Sequence, residues 1–123
     1  MTFVAGTPLS AADLNDALAS DSPTTFTTTS PAGSGWYRFL LGGALVEFHY
    51  ESSGTVASQT EVSPSGLTLP AAYRPASRAP LAAVSNATQR PGAAAINSDG
   101  TWSIYNWQNS AQVVACHGIY KPA

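Results

Sequence analysis

The sequence predicts an all-β protein, an antiparallel β-sandwich of jelly-roll type that follows one short N-terminal α-helix. Two apolar runs, WYRFLL and ALVEFHY, flank Gly42-Gly43, and this pattern is typical of a β-hairpin whose turn needs positive φ. A second strand–turn–strand pattern surrounds Ser98-Asp99-Gly100. The alternating apolar run VVACHGIY near the C-terminus predicts a closing strand.

Composition limits the size and the surface of the protein. The chain has 123 residues, enough for one domain with a core. Only 10% of the residues are charged, against roughly 25% in typical soluble domains, so the surface must consist largely of Ser, Thr, Asn, Gln and Ala. Such a surface suits contact with copies of itself, with other proteins or with sugars. The net charge of −2 and the dispersed basic residues argue against nucleic acid.

Targeting and redox signals are weak. The single cysteine, Cys116, forms no internal disulfide and is expected to be a small buried residue. The N-terminus lacks the basic and apolar regions of a signal peptide, so secretion by that route is not expected. No apolar run approaches 18 residues, and membrane insertion is not expected either.

The N-terminal unit, residues 1–20, is predicted to be an extended arm followed by a short helix. Ser10 is a suitable N-cap with Asp13 three residues later. Ala11, Leu14 and Leu18 form a narrow apolar seam, which must be covered because a helix of about ten residues is marginal alone. Either the helix packs on its own domain, or identical helices meet around an axis. The narrow seam favours the axis, and thus a homo-oligomer.

Residues 21–35, DSPTTFTTTSPAGSG, are rich in Thr, Ser, Pro and Gly. The composition predicts a linker between the helix and a head domain at 36–123. TTFTTT could form a short polar strand within it, because Thr is β-branched. The flanking prolines limit its length.

The Gly42-Gly43 hairpin predicts its own register. With these glycines as the loop, Leu41 faces Ala44. In the register that follows, Tyr37 faces Phe48 and Phe39 faces Val46, which gives one wholly apolar, core-facing side. The other face is mixed and is predicted to be an interface between subunits. On this mixed face Arg38 pairs with Glu47, Trp36 with His49, and Leu40 with Leu45.

Three polar residues, Glu47, His49 and Glu51, share one strand face at a spacing of two. Such a set could bind a metal ion or act as an acid–base pair. Arg38 and Trp36 already provide non-catalytic partners for Glu47 and His49. We therefore predict no metal, no cofactor and no catalytic residues.

The remaining strands follow from turn signals. Residues 78–84 are expected to form an edge strand, because Pro80 lacks a donor. In the second hairpin the small residues 93–95 lie opposite large aromatics, with Trp102 and Ile104 on one face and Tyr105 and Trp107 on the other. Val113 to Tyr120 supply the last strand.

The order of these motifs resembles the C-terminal head domain of bacteriophage tail fibres and minor tail or baseplate proteins. The similar segments are LPAAYRPASRAPLAAV, the hairpin INSDGTWSIY and the terminal strand ending GIYKP, within residues 36–123. The start, AGTPLSAADLNDAL, resembles the short N-terminal helix of phage fibre and spike proteins. The resemblance implies a trimeric β-sandwich head on the virion surface, made in the host cytoplasm, with no enzymatic activity. It differs in one respect, since this chain has no shaft of repeats.

Three functions follow as hypotheses. The first is a short trimeric tail fibre or receptor-binding head that contacts host-surface glycan or a neighbouring virion protein. The second is a capsid decoration protein anchored on the major capsid protein by residues 1–8. The third is a glycan hydrolase, which the roughly 13 Å expected between Glu47 and Glu51 along a strand disfavours. The predicted ligand-binding residues are Trp102, Tyr105, Asn106, Trp107 and Gln108, and the predicted trimer contacts are Ala11, Leu14, Leu18, Trp36, Leu40 and Leu45.

Overall fold

A computed structural model describes residues 10–12, 15, 19–85 and 90–123. The protein is built almost wholly of antiparallel strands, so the all-β prediction is confirmed. The strands are β1 Thr24–Thr29, β2 Ala32–Leu40, β3 Leu45–Ser52, β4 Thr60–Val62, β5 Ala79–Ser85, β6 Arg90–Pro91, β7 Ala93–Ile96, β8 Trp102–Asn106 and β9 Val114–Tyr120. Two 3-10 turns, Leu41–Gly43 and Ala71–Tyr73, interrupt them.

The strands form one curled sheet in the order β1-β2-β3-β9-β5-β7-β8-β4, with β6 paired to β5. The change of partner occurs within β5. Its first residues, Ala79 to Leu81, pair with β7, and Ala82 to Ser85 pair with β9. The curl brings the two halves of the sheet face to face around one core. The expected sandwich of two separate sheets is not confirmed, because β5 belongs to both halves.

The position of β5 corrects the prediction of an edge strand at 78–84. Pro80 is tolerated because it lies where β5 pairs only with β7, opposite Ala95, and before the ladder with β9 begins at Ala82. Gly118 on β9 leaves room for the Leu81 side chain at this bend, because a Cβ on the glycine would collide with Leu81 Cδ2.

The stretch predicted to be a linker is instead part of the sheet. The possible strand TTFTTT is present as β1, Thr24–Thr29, and it pairs with β2, which begins at Ala32, so residues 24–35 contain β1, the hairpin turn and the start of β2. Its glycines are needed for close packing and not for flexibility. A Cβ on Gly35 would collide with the His49 carbonyl and lie 2.7 Å from the Phe26 ring, and one on Gly33 would lie 2.5 Å from the Tyr50 hydroxyl. The threonines of β1 favour a strand because they are β-branched, and they add no large apolar side chains.

The predicted register of the Gly42-Gly43 hairpin is confirmed at five of its six residue pairs, and the pair of Leu41 with Ala44 does not form. Gly42 and Gly43 have φ of 65° and 98°, as a type I′ turn requires. Leu41 also takes a positive φ of 52°, so the ladder ends one pair earlier, at Leu40 and Leu45.

The core centres on aromatic rings from both halves of the sheet. Phe48 and Tyr50 on β3 meet the edge of Trp102 on β8, with centroids 5.1 and 4.7 Å apart. Phe26 from β1 stacks on Tyr50. Edge-to-face contacts of this kind stabilise the folded core beyond the contribution from burying the surface area of the rings. Cys116 is buried as predicted, and its burial raises the pKa of the thiol to about 12.

The N-terminal predictions fall largely outside the described residues. Ala11 is helical and exposed, whereas Leu14 and Leu18 are not described. The described chain joins the sheet at residues 19–21, where Ala19 accepts from Gly42 N and Asp21 N donates to Phe39 O. The helical seam and the trimer therefore stay predictions.

Candidate functional site

The outward face of β8 carries two aromatic side chains next to each other. Tyr105 projects outward from β8 and Trp107 follows the strand, with ring centroids 6.0 Å apart in an edge-to-face arrangement. Trp107 is 55% exposed, unusually high for its size. The Tyr105 hydroxyl donates to the Gln59 carbonyl at 3.2 Å, which holds the ring in place. The result is an exposed aromatic surface in which the Tyr105 ring is held by a hydrogen bond.

Beside these rings the sheet forms a shallow cavity of about 220 Å³ that we call the aromatic hollow. The hollow exists because small residues stand between long ones. Ala93 lies directly opposite Tyr105, and Ser103 lies two residues before it on the same face of β8. The hollow is lined by Glu61, Arg78, Ala93, Ala94, Ser103, Tyr105 and Trp107.

The rim of the hollow carries one charge of each sign. Arg78 Nη2 lies 3.9 Å from Glu61 Oε1, beyond hydrogen-bonding distance, and both side chains are more than half exposed. Arg78 Nη1 also lies 3.3 Å from Asn97 Oδ1. An exposed pair at this separation contributes little to stability, so both groups remain available to a ligand.

Two of the predicted ligand-binding residues are structural, which corrects the prediction. Trp102 is 1% exposed, and its indole N–H donates to the Leu67 carbonyl at 3.1 Å inside the core. Asn106 is also buried, and its side-chain amide donates to the carbonyls of Val56 at 3.0 Å and Ser110 at 2.9 Å. These bonds satisfy buried carbonyls, as interiors require.

Gln108 stays close to the aromatic residues but contributes its backbone. Its N–H donates to Asn106 Oδ1 at 2.9 Å, and its carbonyl accepts from Gln59 N and Ser58 Oγ. Of the five predicted residues, the structure thus brings Tyr105 and Trp107 together at an accessible surface. Trp102 and Asn106 support that surface from the inside.

A second polar cluster occupies the outward face of β2, β3 and β9. Glu47 is its centre: Arg38 Nε lies 2.8 Å from one carboxylate oxygen and His117 Nε2 lies 2.9 Å from the other. Burial alone would raise the pKa of Glu47, but the hydrogen bonds and charges of Arg38 and His117 outweigh it and hold the pKa below its ordinary value. This environment suits a permanent anion and is the opposite of what a general acid needs.

The predicted interface residues surround this cluster. Trp36 stacks on His49 with centroids 5.4 Å apart, and the Arg38 guanidinium lies over the Trp36 ring. Trp36, Leu40 and Leu45 are all half-buried in the single chain. Ile119, on the neighbouring strand β9, is 52% exposed. The mixed face therefore carries apolar side chains together with the ion pair of Arg38 and Glu47, whose charges already have partners within the chain.

The geometry gives no support for a metal at Glu47, His49 and Glu51. Within the described ranges, no three His, Cys, Asp or Glu side chains are grouped so as to hold a metal ion. The Glu47 carboxylate contacts Arg38 and His117, while His49 Nε2 lies 3.6 Å from Glu51 Oε1. Glu47 is thus paired separately from His49 and Glu51.

Sequence reasoning missed four residues. His117 joins Glu47 across 70 positions, and only its outward place in the alternating run VVACHGIY could have suggested this. Glu61, Arg78 and Ser103 line the aromatic hollow from three separate segments, and no local pattern connects them.

Comparisons with models of known protein families and with curated proteins find no match for this chain. Among the described residues no helix is both long enough and apolar enough to cross a membrane.

Proposed function

We propose that this protein is a phage virion structural protein, a short trimeric tail fibre whose β-rich head contacts glycan on the host surface. The observation that carries the proposal is the aromatic hollow. Trp107 is more than half exposed beside a fixed Tyr105, and polar side chains surround both. Sugar rings pack their C–H faces on such aromatic surfaces, while their hydroxyl groups bond to neighbouring polar side chains.

Two further properties support a binding role. The charged fraction of 10% leaves a surface of uncharged polar residues, which suits contact with sugars more than with charged polymers. Glu47, the most enclosed carboxylate on the mixed face, is neutralised by two partners, which favours binding or structure over hydrolysis. The resemblance to phage fibre heads agrees with both.

The trimer is part of the same proposal. The seam of Ala11, Leu14 and Leu18 would meet its copies on a threefold axis, and the mixed face would provide further contacts through Trp36, Leu40 and Leu45. Light scattering on the purified protein tests the assembly, with three times the chain mass expected. A monomeric mass at micromolar concentration would contradict it.

Binding to a glycan array tests the receptor role. We expect the wild-type protein to bind a subset of bacterial surface glycans and Trp107→Ala to lose that binding. Ile119→Ala is the matched control, because it also removes an exposed large apolar side chain, from a different face. Equal binding by wild type and Trp107→Ala would show that the aromatic hollow is not the site.

Capsid decoration is the second candidate, and the mixed face favours it. Exposed Ile119 and half-buried Trp36 lie on the same outward face of the sheet and offer an apolar surface for another virion protein. Under this hypothesis, deleting residues 1–8 abolishes incorporation into virions while the head stays soluble. Unchanged incorporation would contradict anchoring by this arm.

A further inference from the structure

The aromatic hollow has features that select one chemical class of sugar. We infer that it binds a neutral hexopyranoside through two adjacent ring hydroxyls, one held by Arg78 and the other by Glu61. This inference rests on the proposed glycan-binding function and adds the class of ligand. It follows from the distance between the two charged groups on the rim, the Ser103 hydroxyl in the lining and the volume of the hollow.

The rim offers a donor and an acceptor that do not satisfy each other. At 3.9 Å the Arg78 and Glu61 groups are adjacent, yet too far apart for a hydrogen bond. A sugar hydroxyl both donates and accepts, so one hydroxyl can accept from the guanidinium while its neighbour donates to the carboxylate. Hydrogen bonds to charged groups are the stronger kind, and little existing pairing is lost when the ligand enters.

The same pair selects against charged sugars. A ligand carboxylate facing Arg78 would lie next to Glu61, and a ligand ammonium facing Glu61 would lie next to Arg78. Like charges placed together in this way are costly at a binding site. Uronic acids, sialic acids and amino sugars are therefore disfavoured relative to neutral hexoses.

Ser103 adds a polar group to the lining of the hollow. The residue is 6% exposed, and none of the described residues forms a hydrogen bond with its hydroxyl. Every fully buried side-chain polar atom among the described residues has a hydrogen-bond partner, so the Ser103 hydroxyl keeps access to the solvent in the hollow. A ligand hydroxyl would replace water at this group, next to the Tyr105 and Trp107 rings.

The hollow also sets the orientation of the sugar. Its volume of about 220 Å³ lies below the roughly 300–1,000 Å³ of sites for drug-sized ligands, so it has room for a single sugar ring and longer glycans must continue outward. The Tyr105 and Trp107 rings form one side and the Arg78–Glu61 pair lies on the rim. The apolar face of the sugar thus meets the rings while two hydroxyls reach the charges.

The experiment is a glycan array that carries neutral, acidic and amino-sugar termini, probed with the full chain and five variants. Ala93→Leu fills the hollow without removing a polar group, and Glu61→Gln and Arg78→Met remove each charge in turn. Ile119→Ala is the control. Circular dichroism and a thermal melt confirm folding, and the exposed Trp107→Ala variant tests the site if Ala93→Leu does not fold.

We expect binding to neutral hexose termini, with Glu61→Gln and Arg78→Met each weakening it about tenfold or more. Ala93→Leu should abolish it, and Ile119→Ala should leave it unchanged. Removing either adjacent hydroxyl from the bound sugar, as a deoxy derivative, should cause a loss similar to that of the corresponding variant.

Two results would overturn the inference in different ways. Binding restricted to acidic glycans, dependent on Arg78 and strengthened by Glu61→Gln, would contradict the neutral ligand while the receptor role stands. Binding to no glycan by the folded wild-type protein would contradict the receptor role and the inference together. Neutral binding that survives both Ala93→Leu and Trp107→Ala would show that the sugar binds elsewhere.

Discussion

Gly100 lies so close to the Arg74 side chain that a Cβ on the glycine would come within 2.6 Å of Arg74 Nε. The same guanidinium nitrogen donates to the Leu69 carbonyl at 2.8 Å, and Leu69 N donates to the Gly100 carbonyl at 3.0 Å. The LPAAYRP segment and the Asp99-Gly100 turn are thus one packed unit. This contact gives a physical reason for the two motifs to occur together.

Gly100→Ala should therefore destabilise the protein by more than backbone strain alone. Its φ of 86° costs an L-residue about 1–2 kcal/mol, and the collision with Arg74 and the Leu69 carbonyl adds to that. Gly43→Ala is the matched control, because its φ is 98° but no atom lies within 4 Å of the added Cβ. Urea unfolding compares the two. Equal losses would show that contact with Arg74 is unimportant.

Gly35→Ala tests whether residues 21–35 belong to the fold. The added Cβ would meet the His49 carbonyl and the Phe26 ring, so we expect a loss of about 2–4 kcal/mol in the free energy of unfolding. Ser34→Ala, an exposed neighbour on the same strand, should change it by less than about 0.5 kcal/mol. A flexible linker would tolerate both substitutions alike, and that outcome would contradict the strand assignment.

Asn106→Ala should destabilise the protein by about 2–4 kcal/mol, because it leaves the buried Val56 carbonyl without this donor and removes the bond to Ser110. Asn109→Ala is the control, since its side-chain bond to Gln59 is exposed. Thermal or urea unfolding measures both. If Asn106→Ala were as stable as wild type but lost glycan binding, the residue would have a ligand-contacting role after all.

Glu47→Gln should cost about 1–2 kcal/mol near neutral pH, because two charge-assisted bonds weaken. The pKa of Glu47 lies below its ordinary 4.5, so the charged form is favoured by folding. Its contribution is complete above that ordinary value and is lost as the pH falls through the lowered one. The difference between wild type and variant should therefore shrink as the pH is lowered below 4.5.

Glu51→Gln provides the comparison for Glu47. Its side chain is 59% exposed and lies 3.6 Å from His49, so we expect a change of less than about 0.5 kcal/mol at any pH. Urea unfolding of both variants across the acidic range checks the assignment. A pH-independent difference for Glu47→Gln would show that its effect is one of packing and not of charge.

The parts of the fold that the sequence predicted are those with short-range signals. Gly42-Gly43 determines the turn, and the pairing of Arg38 with Glu47 agrees with the all-apolar opposite face, so the register could be derived. The β1–β2 hairpin was missed because its threonines and glycines have the composition of a linker. Only the packed neighbours of Gly35 reveal that the residue cannot be larger.

The candidate site was predicted only in part, because local patterns show which residues share a strand face but not which distant groups they contact. Alternation correctly separates Trp102 from Tyr105, and the shared face of Trp102 and Ile104 could have indicated that Trp102 is buried. The role of Asn106 depends on carbonyls some 50 positions away, which no local pattern contains. The same holds for Arg78, just before β5, and Glu61 on β4, which approach each other across β7 and β8.

The divided pairing of β5 has a mechanical consequence. Residues 19–21 are bonded beside β2, in one half of the sheet, whereas the aromatic hollow lies on β7 and β8, in the other half. In the described ladder these halves are joined through β5. If the chain is held at its N-terminal end and its ligand is attached to a cell, tension along the backbone ladder passes through that one strand. Loss of the β5 pairing would then separate the anchored half of the ladder from the half that carries the aromatic hollow.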